Sequence, residues 1–163
     1  MIQGKNPADV YNDVQVFGAA TPSSAAPRYV SLKNAVAVEV VISGKNGSTV
    51  TGSAVTLLQA DLTNGANSKP LAFAAYKAST DQANSAAWTN STASSNTFTT
   101  VTTNAREFKY RIPIDPASLD RANGFDCLGV GLGNGANTTL SVDVRILPAS
   151  GGNSAAFPDP YGN

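Results

Sequence analysis

Leu140-Ser141-Val142-Asp143-Val144-Arg145-Ile146 alternates an apolar with a polar side chain at every step, and Glu107-Phe108-Lys109-Tyr110-Arg111-Ile112 does the same. Successive side chains of an extended strand point to opposite faces, so each run predicts a strand with one face on a core and the other in water. Leu140, Val142, Val144 and Ile146, together with Phe108, Tyr110 and Ile112, are thereby the candidate core residues. Half-wet strands of this kind belong to antiparallel sheets.

Working outward from these two runs, Val36, Val38, Val40 and Ile42 alternate with Ala37, Glu39 and Val41 and predict a third strand. Further strands are expected at 54–61, 71–77, 96–102 and 125–133, with the two opening runs extending over 106–114 and 138–147. Lys45-Asn46-Gly47-Ser48 and Asn134-Gly135 carry the Asn-Gly signal of a hairpin reversal. Segments 64–69 and 80–95 read as turn-rich inserts. Helix is confined to Asp115-Pro116-Ala117-Ser118-Leu119-Asp120, where Asp115 is placed to cap and Pro116 to take the first helical position. Eight or so short strands separated by turns predict an all-β protein, an antiparallel β-sandwich of jelly-roll-like form.

The chain divides into three segments. Residues 1–27 read as an N-terminal arm, with a linker-like run of small residues and prolines at 18–27 and one short strand candidate at Val14-Gln15-Val16-Phe17. Residues 28–147 form the sandwich, and 148–163 an extended C-terminal tail. In that tail Phe157 and Tyr161 are framed by prolines; such aromatics can plug into a neighbour's groove, or the tail can be simply solvated. Val14, Val16, Phe17, Phe157 and Tyr161 are accordingly candidate interaction residues. The single tryptophan, Trp88, joins them from the polar insert, where it can stack a sugar ring, anchor a protein contact or fold back over the core.

The 163 residues suit one domain, which at this size buries roughly 70% of the unfolded chain's surface without help from disulfides or metals. Lys plus Arg and Asp plus Glu each total 11, so the formal net charge is zero and there is no basic field to draw in nucleic acid. Charged residues are only 13% of the chain, about half the usual share. A polar but charge-poor surface suits a protein covered by copies of itself or by a larger assembly. The opening residues lack the apolar core of a signal peptide, and no window reaches the roughly 20 apolar residues of a membrane span, so a soluble protein with no membrane partner is expected.

Chemistry has few candidates. The chain has no histidine, which removes Ser-His-Asp and Cys-His arrangements and leaves zinc without imidazole ligands. The only cysteine, Cys127, lies in an apolar run and reads as a small buried hydrophobe. The acids fall at turns and on alternating faces, and nothing singles out the carboxylate pair that a glycosidase needs. Gly131, Gly133 and Ala136 match a dinucleotide fingerprint in form, but a strand rather than a helix is expected after them; Gly129 and Gly131 instead suit close approach of a neighbour. Asn-rich loops lack the carboxylates of a calcium loop. No catalytic residue, cofactor or metal is expected, and the chain reads as no enzyme.

The order Leu32-Lys33-Asn34, Ala54-Val55-Thr56-Leu57-Leu58-Gln59-Ala60, Leu71-Ala72-Phe73, Asn96-Thr97-Phe98 and Ala122-Asn123-Gly124-Phe125-Asp126-Cys127 resembles small head proteins encoded by tailed bacteriophages. The likeness covers roughly residues 28–147 and is one of general pattern rather than of a signature motif. It implies a head-decoration (cement) protein: a jelly-roll-like domain, commonly a homotrimer, made in the host cytoplasm and mounted on the outer surface of the virion. The major capsid protein would be its partner, and the segments outside the sandwich would supply subunit contacts. Two other classes stay open. One is a carbohydrate-binding, tail-fibre or baseplate module using Trp88 and Tyr76 as exposed rings; the other is a hydrolase with an unrecognised carboxylate pair.

Overall fold

The computed structural model describes residues 11–149, apart from 25, 86 and 94. Over these residues the chain forms eleven strands: β1 (Asn12–Ala20), β2 (Arg28–Ser31), β3 (Ala35–Asn46), β4 (Ala54–Ala60), β5 (Lys69–Pro70), β6 (Ala75–Ser79), β7 (Thr89–Thr92), β8 (Thr97–Thr99), β9 (Glu107–Ile114), β10 (Cys127–Leu132) and β11 (Thr138–Pro148). Among the described residues only two single-turn 3-10 helices interrupt them, at Pro116–Ser118 and Arg121–Asn123. The first starts as the sequence predicts, with Pro116 in the opening turn and the Asp115 carboxylate accepting the Ala117 N–H at 2.8 Å.

The strands make two antiparallel sheets packed face to face. One has the order β1-β11-β3-β9-β6-β7; the other runs β2-β10-β4-β5, with β8 also pairing β4. From β1 to β4 and again from β8 to β11 each strand lies in the opposite sheet from the one before it, so over these stretches the chain wraps around the core. This is the strand order of a jelly roll, with β6 and β7 added at one edge.

The core lies where the alternating runs put it. Phe108, Tyr110, Ile112, Leu140, Val142, Val144 and Ile146 are buried in one cluster, bridged by Val38, Val40 and Ile42 of the intervening β3. Val30, Leu32, Val55, Leu57, Leu128, Val130 and Leu132 face them from the other sheet. Val36, expected inside, is exposed at the start of β3.

The N-terminal boundary is corrected. β1 is a nine-residue member of the six-stranded sheet rather than part of an arm, and Val14 and Val16 are core residues. Two register shifts along its pairing with β11, between Gln15 and Phe17 and between Phe17 and Ala20, each insert an extra residue on β1. Such bulges break the period of two by which a strand is recognised in sequence. At the other end Pro148 still pairs, opposite Ala35, and the Ala149 N–H donates to the Asn34 carbonyl at 2.8 Å. The remainder of the expected tail, with Phe157 and Tyr161, lies outside the described residues.

Both expected hairpins are corrected as well. β3 and β4, and likewise β10 and β11, belong to different sheets, so the Asn-Gly pairs sit at corners between sheets. Asn46 is buried and ties three segments together. Its Nδ2 donates to the carbonyls of Val101 and Thr103, at 2.8 and 2.9 Å, while its Oδ1 accepts from the Thr138 hydroxyl at 2.9 Å. The left-handed backbone of these corners falls instead on Thr49, Gly52 and Asn137.

The glycines of β10 behave as expected. A Cβ on Gly129 would stand 2.4 Å from the Tyr29 ring, which covers it from the neighbouring strand, and one on Gly131 would touch Pro27 at 3.4 Å. Tyr29 forms a small second cluster with Ala60 and Cys127 on the outer side of the five-stranded sheet. After Gly133 the chain enters β11 and no helix, so the dinucleotide pattern has no anion site behind it.

Candidate functional site

The outer face of the six-stranded sheet collects the chemistry. Register carries Asp13 of β1 opposite Arg145 of β11 and Arg145 opposite Glu39 of β3, while Arg111 of β9 lies opposite Val41, two residues further along β3. All four charged side chains point away from the core because their neighbours Val14, Val144, Val40 and Ile112 point into it. Arg111 grips Glu39 with two nitrogens, Nε at 2.8 Å from Oε1 and Nη2 at 2.8 Å from Oε2. This fork geometry fixes the guanidinium plane. Arg145 reaches Asp13 at 3.4 Å and Glu39 at 3.9 Å, so carboxylates and guanidiniums alternate across four strands.

Tyr11, just before β1, borders the trough that these side chains enclose, with Ala37 and Pro113 along its length. Glu39's hydrogen bond, with smaller electrostatic help from Glu39 and Tyr11, holds Arg111 above its ordinary pKa. On the other side of Arg111, the Trp88 ring lies 5.8 Å from the guanidinium carbon. Nearby on the same face, Asp143 is held above the usual carboxylate range by burial and then by Asp13, against the pull of Arg145 and Lys109. Among the described residues the large apolar side chains left exposed are Tyr11, Val36, Leu62 and Trp88, and two of these border this charged row.

The sequence-predicted interaction residues separate clearly. Val14 and Val16 are core and cannot meet a partner. Phe17 is partly buried against the core and covered by Arg28, whose guanidinium lies 5.0 Å from the ring and donates to the Val16 carbonyl at 2.7 Å. Trp88 is 40% exposed. It packs on an outward arginine and does not roof the core. Tyr76, the second ring of the expected sugar platform, is stacked on Phe98 at 4.6 Å and packs against the core. Tyr11, Glu39, Arg111 and Arg145 were not singled out by the sequence. Alternation in β9 and β11 already turned both arginines outward, but only the register of β3 between them brings Glu39 to meet them.

Cys127 is buried, and burial, followed by its hydrogen bond to Asp126, pushes its thiol up to about 12. It is a thiol at any physiological pH. Among the described residues no three His, Cys, Asp or Glu side chains gather closely enough to hold a metal. No helix there is long and apolar enough to cross a membrane. Comparison with protein-family models, with curated proteins and with solved structures returns no match in any of the three.

Proposed function

We propose that this chain is a non-catalytic structural protein that mounts on the outside of a preformed protein shell and stabilises it, a head-decoration protein of a tailed bacteriophage acting as a homotrimer on the major capsid protein. The observation that carries the reading is how the charges are spent within the subunit. Lys33 pairs with Asp126, Lys45 with Glu107, Lys69 with Asp120, Arg106 with Asp81, and Arg111 and Arg145 with Glu39 and Asp13. Arg28 and Arg121 donate to backbone carbonyls of their own chain. A surface that is charge-poor and internally neutralised produces little repulsion between copies crowded on a lattice. The likeness of the sequence to small phage head proteins points to which lattice.

The mechanism is mass action. A protein that binds only the assembled shell stabilises it by its binding free energy, and many weak contacts on a repeating lattice add through avidity. The test mixes purified protein with undecorated, expanded heads. Sedimentation and cryo-electron microscopy should find it at regular lattice sites, and the temperature of DNA release should rise. Heads that neither bind the protein nor gain thermal resistance refute the reading.

A further inference from the structure

We propose that the trough on the outer face of the six-stranded sheet, bordered by Tyr11, Asp13, Glu39, Arg145 and Arg111 and continued beyond Arg111 by Trp88, is a binding site for a neutral oligosaccharide. This goes beyond mounting on a shell and does not depend on it.

Three observations define the ligand. The first is charge: the two carboxylates and two guanidiniums of the trough cancel and are already engaged with one another. A polyanion would have to displace Glu39 and Asp13 from the arginines, and a polycation would have to displace the arginines, so neither gains. A neutral ligand displaces nothing. The second is hydrogen-bonding capacity. Arg111 holds Glu39 through Nε and Nη2, and Arg145 reaches its carboxylates through Nε and Nη1, so each guanidinium carries a further nitrogen beyond those pairs, and the Asp13 side chain is 57% exposed with Arg145 at 3.4 Å. Sugar hydroxyls, each at once donor and acceptor, can accept hydrogen bonds from those guanidinium N–H groups and donate to the carboxylates. The bidentate Arg111–Glu39 pair holds these groups in place before any ligand arrives, which lowers the ordering cost of binding.

The third is the pair of rings. Tyr11 and Trp88 keep 48% and 40% of their surface exposed beside the charged row. An aromatic face offers a flat apolar surface to the C–H side of a pyranose while its edge stays wet. The rings flank Arg111: the Trp88 ring lies 5.8 Å from its guanidinium carbon, and Tyr11 borders the trough on the other side, close enough to act on the same guanidinium. A short sugar chain lying across the trough meets both rings, with Arg111 between its ends.

The test uses the intact protein and defined probes: neutral hexasaccharides of glucose, of N-acetylglucosamine and of mannose, with heparin as the polyanionic control, measured by titration calorimetry. At least one neutral hexasaccharide should bind, and its own monosaccharide should bind at least tenfold more weakly. Tyr11→Ala and Trp88→Ala, both at exposed positions, should each weaken binding at least tenfold with unchanged circular dichroism. Arg111→Lys, which keeps the charge and loses the fork, should weaken it as well. Binding of heparin alone, binding unaltered when Tyr11→Ala and Trp88→Ala are combined, or no hexasaccharide bound at all overturns the proposal. Loss of head binding in the ring variants without any sugar binding also overturns it and makes this face a protein contact. Sugar binding with no head binding upholds it while refuting the shell reading.

Discussion

Removing the ring of Phe108 is expected to be among the most costly single substitutions in this chain, and its cost should depend on a glycine in the next strand. Phe108 is 2% exposed and lies opposite Gly44 of β3 in the six-stranded sheet. The ring occupies the space that a side chain at Gly44 would fill. A Cβ built there would stand 2.5 Å from Phe108 Cζ and 2.7 Å from the Thr139 carbonyl oxygen. Phe108→Ala should cost about 3–5 kcal/mol, toward the upper end because no side chain at position 44 can collapse into the void. Of this, about 0.5–1.5 kcal/mol is the ring pair with Tyr110, whose centroid is 5.5 Å away. Gly44→Ala alone should cost about 1–3 kcal/mol by overpacking. In the Phe108→Ala background the new methyl no longer meets the ring, although the Thr139 carbonyl still stands 2.7 Å away, and it partly fills the hole. The double variant should therefore be more stable than the sum of the singles predicts, by about 1–2 kcal/mol. Equilibrium urea unfolding of all four proteins, fitted with a common m-value, measures the cycle. Additivity within about 0.3 kcal/mol, or a Phe108→Ala cost under about 1.5 kcal/mol, would refute the packing described here.

Gly129→Ala should lower Tm because its methyl meets the Tyr29 ring, and Tyr29→Ala in the same chain should recover part of the loss; a neutral Gly129→Ala would mean that Tyr29 does not cover that strand. Two groups should move acid stability in opposite senses. Asp120 is held below the usual carboxylate range by Lys69 and then Asn123, so its contribution is present above the unfolded value of about 3.9 and is lost as pH falls through the folded one. Asp143 is raised by burial, so its contribution is present below about 3.9 and is lost as pH rises through its folded pKa. Asp120→Asn should therefore lower Tm at pH 7 and Asp143→Asn should raise it, with both differences shrinking toward pH 3 in thermal scans. Equal responses of the two variants at pH 7 would contradict these environments.

β9 and β11 were legible because each has one face on the core and one in water along its whole length. β1 was not, since its two bulges spoil the alternation of Val14 and Val16 with their neighbours and its end is all glycine and alanine. β7 was hidden in a polar insert for a different reason: Thr89-Asn90-Ser91-Thr92 is an edge strand held by backbone pairing to β6 and buries almost nothing. The Asn-Gly pairs misled because turn chemistry reports where a chain reverses and not which sheet receives it. The charged row was equally invisible. Arg111 and Glu39 are 72 residues apart, and nothing short of the β3–β9 register says that they meet.

The position of β11 in the sheet bears on how the chain is made. β11 is the latest of the eleven strands to leave the ribosome, yet it lies between β1 and β3, two of the earliest. Until it arrives, β1 has no partner in its sheet and one edge of β3 is open. The emerging chain must therefore hold β1 unpaired in its sheet while residues 21–137 are made, which at 5–20 residues per second takes on the order of ten seconds. Pairings so distant in sequence also form slowly, in roughly milliseconds to seconds. Nascent chains stalled before residue 138 should be protease-sensitive at β1, and protection there should appear only once β11 has emerged.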